Sequence, residues 1–390
     1  MIPSPPAIDL SEPFVLLDDA RPTGAAHLYR DYRGCVVAND PADVPLALEQ
    51  LRRARDHGLH AAGFIGYGAR AAFEPRLGFD PSASELPCLW FGLFVQRVAI
   101  SSETLGTMLE SAGHATITNF RPLMAFEAYG AAFATVKALI EAGDIYQANL
   151  TFQAAVNISG APFAIYRSLR ERARAAWGGI VHTGSRWIVS ASPELFFRIE
   201  DGQLVTRPMK GTAPPDADIR ALRDDPKQRA ENLMIVDLLR NDMARVSEPG
   251  SVKVTKLFDV ERYPTIQQMT STIESRLLPD RDAIDVLRAL FPCGSITGAP
   301  KIRAVEITNQ LEPCPRGLYT GAIGRLSPNG DAAFNVAIRT LVLDQGERSA
   351  RLGIGSAIVA DSIVGEEWRE CLAKARFACP DLQAASFLST

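Results

Sequence analysis

The alternation of apolar and polar residues predicts helices and strands that follow one another without a regular order. In EAYGAAFATVKALIEAG, the apolar residues Tyr129, Phe133, Val136 and Ile140 recur at helical spacing and share one face, and Gly143 is the expected end of the helix. The period then changes to two in IYQANLTFQAAV. A two-residue period is typical of a strand with one buried face and one polar face.

The predicted strand in IYQANLTFQAAV has two chemically different faces. The apolar face is expected to be buried and consists of Tyr146, Ala148, Leu150 and Phe152. The polar face consists of Gln147, Asn149 and Thr151. The strand therefore places polar side chains at regular intervals along one side of a sheet.

The stretch RWIVSASPELFFRIEDGQLVTRPMK predicts a hairpin that turns at Asp201 and Gly202. A two-residue loop with regular pairing would leave Glu194 and Lys210 on opposite faces. A three-residue loop, or a bulge at Pro208, which has no N–H for the ladder, would bring both to the same face. Proline within a strand favours an edge or a bulge, so we expect the lysine and the glutamate to share a face.

The remaining pattern completes an α+β fold. We expect helices at about 226–245, in DAIDVLRALF and from about 365, and strands in GLYTGAIGRL, AAFNVAIRTLVL and ARLGIGSAIV. These elements lack a βαβ rhythm, which favours α+β over a doubly wound sheet. The polar stretch 101–122 is the expected seam between an N-terminal part, 1–120, and a core, 121–380.

Composition narrows the classes of function. The net charge of −4 and the pI of about 5.8 argue against a nucleic-acid-binding protein. No apolar run reaches the roughly 18–20 residues of a membrane helix, and the N-terminus lacks the pattern of a secretory signal. The six cysteines include no C-x-x-C pair, so we expect free thiols in a cytoplasmic protein.

Acidic residues on two predicted helices are candidates for a metal site. Glu367, Glu370 and Lys374 share one face of the last helix, and Glu231 lies on an upstream helix. Glutamates from separate helices would suit Mg²⁺, which binds a few carboxylate oxygens and keeps waters. A solvated ion pair between Glu370 and Lys374 is the simpler interpretation.

Other polar residues are candidates for binding an anion. GSITGAPKIR lacks the spacing of a phosphate-binding Walker loop, but it leads into a helix whose first N–H groups could face an anion. An ordinary capped helix start is the alternative. Arg339 and Lys374 could each bind a carboxylate or lie in a surface ion pair, and Tyr319 could offer its hydroxyl to a ligand or only pack its ring.

Taken together and in this order, the motifs resemble the chorismate-utilising enzymes. The motifs are GDIYQANLTF, SASPELFF, RPMKGT, AENLMIVDLLRND, GSITGAPK, GLYTGAIG, FNVAIRT and GSAIVADSIVGEEWRECLAKA. The resemblance covers residues from about 122 to 376 and extends more faintly to 63–75. It implies two packed antiparallel β-sheets with helices on the outside and an active site between the sheets.

The resemblance also implies a reaction. With a lysine in its P-x-K-G-T segment, the chain resembles the family members that replace the 4-hydroxyl of chorismate with an amino group. Members that make anthranilate, isochorismate or salicylate typically have alanine at that position. The ammonia would come from a separate glutamine amidotransferase subunit, giving a heterodimer. Anthranilate formation is the nearest alternative, and a catalytically silent carboxylate-binding subunit is an alternative of another class.

The resemblance further implies roles for individual residues. Lys210 would attack ring position 2, and Glu194 would protonate the departing hydroxyl. Gln147 stands where water-adding relatives have a lysine base, which favours ammonia as the incoming group. Mg²⁺ would be held by Glu231 and Glu370, with Glu367 nearby. The expected substrate-binding set is Gln147, Thr297, Gly298, Tyr319, Arg339, Gly353, Gly355 and Lys374.

Overall fold

A computed structural model describes residues 8–78, 86–263, 267–344, 346 and 348–382. The strands of this part are β1 (Phe14–Asp18), β2 (Ala25–Ala38), β3 (His60–Ile65), β4 (Leu89–Ser101), β5 (Thr116–Pro122), β6 (Gln147–Ser159), β7 (Trp177–His182), β8 (Arg186–Ser192), β9 (Leu195–Glu200), β10 (Gln203–Arg207), β11 (Met209–Ala213), β12 (Lys253–Arg262), β13 (Gln267–Arg276), β14 (Gly298–Ala299), β15 (Ala322–Leu326), β16 (Ala332–Val336), β17 (Thr340–Asp344) and β18 (Ser349–Ile358).

The helices of the described residues are α1 (Val44–Asp56), α2 (Arg70–Phe73), α3 (Ser102–Glu110), α4 (Phe126–Glu141), α5 (Pro162–Ala173), α6 (Ile219–Asp224), α7 (Pro226–Ala244), α8 (Ala283–Leu290), α9 (Lys301–Leu311) and α10 (Val364–Ala375). Among them, no helix is both long and apolar enough to cross a bilayer.

Antiparallel pairing connects the strands in a single series. Its order is β5–β6–β18–β17–β8–β7–β1–β2–β4–β3–β15–β16–β9–β10–β13–β12. Strand β11 also pairs with β13, and β14 with β6. The long strands β2 and β4 pair along nearly their whole length and join the first half of the series to the second.

Buried residues form three clusters, and these show that the two halves of the strand series pack against each other as layers. One cluster joins the first half to α3, α4, α5 and α10, and includes Phe152 stacked on Trp368 at 4.8 Å between ring centroids. A second joins the other half to α1, α7 and α8. A third contains Val15 and Val181 from one half with Phe64 and Trp90 from the other. The predicted α+β fold of two packed antiparallel sheets with helices outside is confirmed, with the layers continuous through β2 and β4.

Most predicted elements occur, but the exposure expected for β6 is wrong. Tyr146, expected on the buried face, is 70% exposed, because it precedes the first residue of the strand. Gln147 and Thr151, on the polar face, are buried. The polar face is enclosed because the segment after α8 folds against the start of β6, where Gly298 pairs with Ala148. The polar side chains therefore lie inside the molecule.

Two further stretches differ from the expected pattern. AAFNVAIRTLVL forms two strands, β16 and β17, because the chain turns at 337–339, where Arg339 has a left-handed φ of 50°. The seam expected at 101–122 contains α3 and β5, and β5 pairs with β6. Strands β1 and β3 from the N-terminal part pair with β7 and β15, so the division near residue 120 stays a prediction.

Candidate active site

The hairpin of β9 and β10 turns tightly and then shifts its register. Asp201 and Gly202, with φ of 49° and 76°, form a two-residue turn in which Gln203 opposes Glu200, so of the two alternatives the three-residue loop does not form. The register then shifts between Val205 and Arg207, and Arg207 opposes Leu195. Two residues of β9 separate Leu195 from Arg198, whereas one residue of β10 separates Val205 from Arg207, so the extra residue of the bulge lies on β9 and not at Pro208.

That bulge determines which side chains meet beyond the hairpin. Because side chains alternate along a strand, one extra residue reverses the face of everything that follows. Glu194 and Lys210 consequently share a face and are close enough for each charge to affect the other's pKa. The structure thus brings these two residues within electrostatic reach of each other, and their roles stay predictions.

Lys210 lies on β11 and is half-buried. Its surroundings lower the pKa of its amine, chiefly because burial disfavours the charged form, and the charge of Lys374 adds to the effect. The carboxylates of Glu231, Glu194 and Glu370 oppose this shift. The balance increases the fraction of Lys210 that is an uncharged, nucleophilic amine.

Glu194 is 3% exposed, and burial raises the pKa of its carboxyl to about 7. A hydrogen bond from Ser295, the charge of Lys210 and the N–H of Met209 each lower this pKa, but burial outweighs them. Its Oε1 atom has no hydrogen-bond partner. A substantial fraction of Glu194 is therefore protonated at neutral pH and has a proton free to donate.

On α10, Glu370 and Lys374 form the ion pair that the sequence suggested. Lys374 Nζ lies 2.7 Å from Glu370 Oε1 and donates to the carbonyl of Gly355 at 2.9 Å. Burial alone would lower the pKa of Lys374, but Glu370 and other nearby groups raise it. Lys374 chiefly lowers the pKa of Glu370. Both side chains keep contact with water, at 40% and 52% exposure, so the pair lines an open cleft.

Three carboxylates form an acidic region beside Lys210. Burial raises the pKa of Glu231, and the charges of Glu367 and Glu370 raise it further. Burial likewise raises the pKa of Glu367, whose Oε1 accepts from Ser362 at 2.7 Å. Like charges that raise one another's pKa favour a divalent cation. In the described part of the chain, however, no three acidic, His or Cys side chains converge on one point.

The substrate-binding residues expected on β18 and near Tyr319 lie together. A Cβ on Gly353 would lie 2.1 Å from Tyr319 Cγ, so only glycine lets the ring approach the strand. Burial raises the pKa of Tyr319, against the charge of Lys374. Its hydroxyl therefore remains a hydrogen-bond donor. Gly355 supplies the carbonyl that holds Lys374.

The residues expected on β6 and in GSITGAPK also adjoin one another. Gln147 is fully buried, and its Oε1 lacks a hydrogen-bond partner. The hydroxyl of Thr297 donates to the carbonyls of Cys293 and Gly294, at 3.2 and 3.1 Å, so it secures its own turn. The carbonyl of Thr297 accepts from the N–H of Asn149 at 2.8 Å, which ties this turn to β6.

Arg339 is less closely connected to the cluster. Burial lowers the pKa of its guanidinium, and the phenol of Tyr263 opposes the shift. Its carbonyl accepts from the N–H of Ala191 at 3.0 Å, close in sequence to Glu194. No contact in the described structure joins its side chain to the other predicted site residues.

Several site residues were not predicted from the sequence. Ser295 donates to Glu194, although it lies in the GSITGAPK segment from which only Thr297 and Gly298 were selected. Lys227 lowers the pKa of Glu231, and its i,i+4 spacing from that residue was a usable signal. Gln268 donates to the carbonyl of Gly211 at 2.8 Å and so fixes the backbone next to Lys210. No local pattern indicates that contact.

A lysine whose pKa is lowered, a glutamate whose pKa is raised and a neighbouring group of carboxylates are typical of an enzyme site. The comparisons specify the family. The chain belongs to the chorismate binding enzyme family, whose sequence model matches residues 23–380.

Individual relatives and a solved structure agree with this assignment. The chain is 42% identical over 340 residues to aminodeoxychorismate synthase component 1 of Salmonella typhimurium, covering 80% of this chain and 74% of that protein. It is 40% identical over 264 residues to anthranilate synthase component 1 of Pseudomonas aeruginosa, covering 66% and 53%. The crystal structure of anthranilate synthase component I from Streptococcus pneumoniae superimposes with a TM-score of 0.73 at 27% identity, covering 95% and 93%.

Proposed function

We propose that the protein converts chorismate and ammonia to 4-amino-4-deoxychorismate, the precursor of 4-aminobenzoate in folate biosynthesis. The observation that carries the proposal is the pairing of Lys210 with Glu194, whose pKa values are shifted in opposite directions towards a neutral amine and a neutral acid. Relatives named aminodeoxychorismate synthase component 1 support the same reaction.

In the first half-reaction, the uncharged amine of Lys210 forms a bond to ring carbon 2. The two ring double bonds shift, and the bond between carbon 4 and the hydroxyl breaks. The proton of Glu194 goes to the departing hydroxyl, which leaves as water, because hydroxide is a poor leaving group at neutral pH. The unpartnered Oε1 of Glu194 supports this direction of proton transfer.

In the second half-reaction, ammonia forms a bond to carbon 4 and the double bonds shift back. The bond between carbon 2 and the Lys210 nitrogen breaks, so the lysine returns as a free amine. The Glu194 carboxylate takes up the surplus proton and regains its starting form. Gln147, which cannot act as a base, supports ammonia over an activated water as the incoming nucleophile.

We further propose that Mg²⁺ is held by Glu231 and Glu370, with Glu367 nearby. The raised pKa values of Glu231 and Glu367 support a cation between these carboxylates. Without a cation, burial and the neighbouring negative charges make it costly to ionise either glutamate. When bound, the ion would neutralise the ring carboxylate of chorismate. A set of few carboxylates suits Mg²⁺, which keeps several waters.

The remaining polar groups would orient the substrate and receive the ammonia. Tyr319, Lys374 and Arg339 are proposed donors to the two carboxylates of chorismate, assisted by the backbone at Gly298, Thr297, Gly353 and Gly355. The relatives named component 1 support a partner, which we propose is a glutamine amidotransferase subunit that supplies ammonia. The six free thiols support a cytoplasmic setting.

Product analysis tests this function directly. The protein is incubated with chorismate, ammonium and Mg²⁺, and the products are separated and weighed. We expect 4-amino-4-deoxychorismate without pyruvate, and a polypeptide mass that rises by one dehydrated chorismate during turnover. Anthranilate with pyruvate would instead identify the anthranilate-forming reaction. Chorismate binding without any product, even with glutamine and a partner subunit, would favour a silent subunit.

A further inference from the structure

A cavity of about 380 Å³ is lined by none of the residues assigned to the cleft described above. It lies between the start of α2, the end of α9 and the segment 313–317, and its size is within the range of small-molecule sites. Its polar lining consists of Tyr67, Arg70, Asn309, Glu312 and Arg316. None of these residues has a part in the proposed amination.

The ring of Tyr67 lies between two guanidinium groups. The Cζ atoms of Arg70 and Arg316 are 4.3 and 4.6 Å from the ring centroid. Arg316 is neutralised by Glu312, whose Oε1 lies 2.7 Å from its Nη2 in a fully buried pair. One of the two positive charges is therefore already balanced within the protein.

The charge of Arg70 is not balanced in the same way. Arg70 is 8% exposed and donates to two uncharged acceptors, the carbonyl of Tyr67 at 3.0 Å and Oδ1 of Asn309 at 2.7 Å. Its Nε–H has no hydrogen-bond partner, and the hydroxyl of Tyr67, itself 2% exposed, has none either. Burial chiefly lowers the pKa of Arg70 and the charge of Arg316 adds to this, whereas Tyr67 and Glu312 oppose the shift without cancelling it.

A buried cation with unused donors is costly unless an anion accompanies it. The unpartnered groups are both donors, an N–H and an O–H, so the missing partner is an acceptor. One unbalanced charge matches a monoanion. The rest of the wall includes Leu77, Pro313 and Pro315, which offer apolar surface to the body of a ligand.

We propose that this cavity is a second ligand site, which binds a small monocarboxylate through Arg70 and Tyr67 with the apolar body of the acid against Leu77 and the nearby prolines. A guanidinium and an adjacent hydroxyl match the two oxygens of a carboxylate. The site is distinct from the chorismate cleft, because none of its donors belongs to that cleft.

The wall between the two sites is shared, so occupancy of one can be detected at the other. Arg316 donates to the carbonyls of Asn149 at 2.8 Å and Ile296 at 3.0 Å, and Glu312 accepts from the N–H of Thr151 at 3.0 Å. These backbone segments carry Gln147 and Thr297 of the cleft. A ligand beside the Arg316–Glu312 pair is therefore expected to change the KM for chorismate.

The test is calorimetric titration of the full chain with sodium benzoate, a monocarboxylate with an apolar body. We expect Arg70→Gln to weaken binding by about 10- to 100-fold, the effect of losing a charge-assisted contact. Tyr67→Phe, which keeps the stacked ring, should weaken it less. Arg339→Gln, at a proposed donor to chorismate, should leave benzoate affinity unchanged.

Each alternative outcome is distinguishable. No binding to the wild-type chain overturns the proposal, and so does equal affinity in Arg70→Gln. Loss of binding in Arg339→Gln with retention in Arg70→Gln places benzoate in the cleft and also overturns it. Inorganic phosphate that binds through Arg70 more tightly than benzoate would overturn the carboxylate assignment. If Arg70→Gln fails to fold by circular dichroism, Tyr67→Phe decides: an unchanged benzoate affinity overturns the proposal.

Discussion

Two lysines close to one another in the cleft, Lys210 on β11 and Lys374 on α10, have pKa values displaced in opposite directions. Burial disfavours the charged form of both. Lys374 is compensated by the ion pair with Glu370 at 2.7 Å and by the carbonyl of Gly355, so it remains a cation. Several carboxylates raise the pKa of Lys210, but it forms no ion pair among the described residues. Burial therefore dominates, and the pKa of Lys210 is lowered.

This difference assigns separate chemistry to two identical side chains. A neutral amine can attack carbon, whereas a paired ammonium can only bind and orient an anion. The distinction comes from the neighbours of each lysine and not from the lysine itself. Changing either lysine, or the groups that set its charge, tests whether the two roles are separate.

The largest effect is expected from Lys210→Ala. Removal of the proposed nucleophile should lower ammonia-dependent turnover of chorismate roughly a thousandfold or more and abolish the covalent adduct. Lys374→Ala should raise KM for chorismate yet still form the adduct. Intact-mass measurements during turnover check both variants. Lys256→Ala, at an exposed position, is the matched control. Full activity of Lys210→Ala would contradict separate roles for Lys210 and Lys374.

Glu194→Gln should lower turnover nearly as much, by roughly 10²- to 10⁴-fold, since it removes the proton donor. For the wild type, rates should fall as pH rises through about 7, where Glu194 loses its proton, and fall again at lower pH as Lys210 becomes charged. Steady-state rates from pH 5 to 9 measure both limbs. A profile of Glu194→Gln that keeps the high-pH limb would exclude Glu194 as its origin.

The same substitution should stabilise the protein at high pH. A carboxyl whose folded pKa is raised carries no penalty below its unfolded value near 4.5, and the penalty grows as pH rises towards 7. Glu194→Gln should therefore increase the free energy of unfolding by about 2 kcal/mol at pH 8 and by much less at pH 5. Urea unfolding at both pH values provides the measurement, and an equal gain at both would contradict the assigned pKa.

A smaller effect is expected from Glu370→Gln. Without its partner, Lys374 loses the contribution that raises its pKa, and the acidic region loses a charge. We expect affinity for Mg²⁺ to fall by about 10- to 100-fold, measured as the Mg²⁺ dependence of turnover. Glu366→Gln, on the same helix and exposed, is the control. Equal Mg²⁺ dependence in the two variants would remove Glu370 from the metal site.

The smallest effect on turnover is expected from Gly353→Ala. The added methyl group would collide with Tyr319, which must move, so KM for chorismate should rise several-fold and stability should fall by about 1–3 kcal/mol. Gly365→Ala, where the nearest atom is 3.8 Å from the added Cβ, is the control. An unchanged KM in Gly353→Ala would show that the position of Tyr319 does not matter for substrate binding.

Local patterns predicted the elements well where one physical preference dominated. The apolar spacing in α4 and the Asp201–Gly202 turn both occur as expected, because helix periodicity and turn conformation are short-range properties. The predicted burial of Tyr146 was wrong, because tertiary packing, and not alternation alone, decides which residues near β6 are enclosed.

The site depended on longer-range information. The order of the motifs indicated which residues would converge, and the common face of Glu194 and Lys210 followed once a bulge was allowed. The contact of Ser295 with Glu194 joins distant parts of the chain, and no local period encodes it. Nor did any pattern single out Tyr67 and Arg70, whose significance comes from a cavity and from the missing partners of their polar atoms.

The extra residue on β9, between Leu195 and Arg198, also bears on how this protein can change over generations. A substitution at position 210 alters the side chain but keeps it on the same side of the ribbon. Deletion of one codon from the bulge on β9 would instead restore regular pairing and leave Glu194 and Lys210 on opposite faces, because orientation alternates residue by residue. A single in-frame deletion can thus separate the acid from the amine while leaving the codons for Glu194 and Lys210 intact.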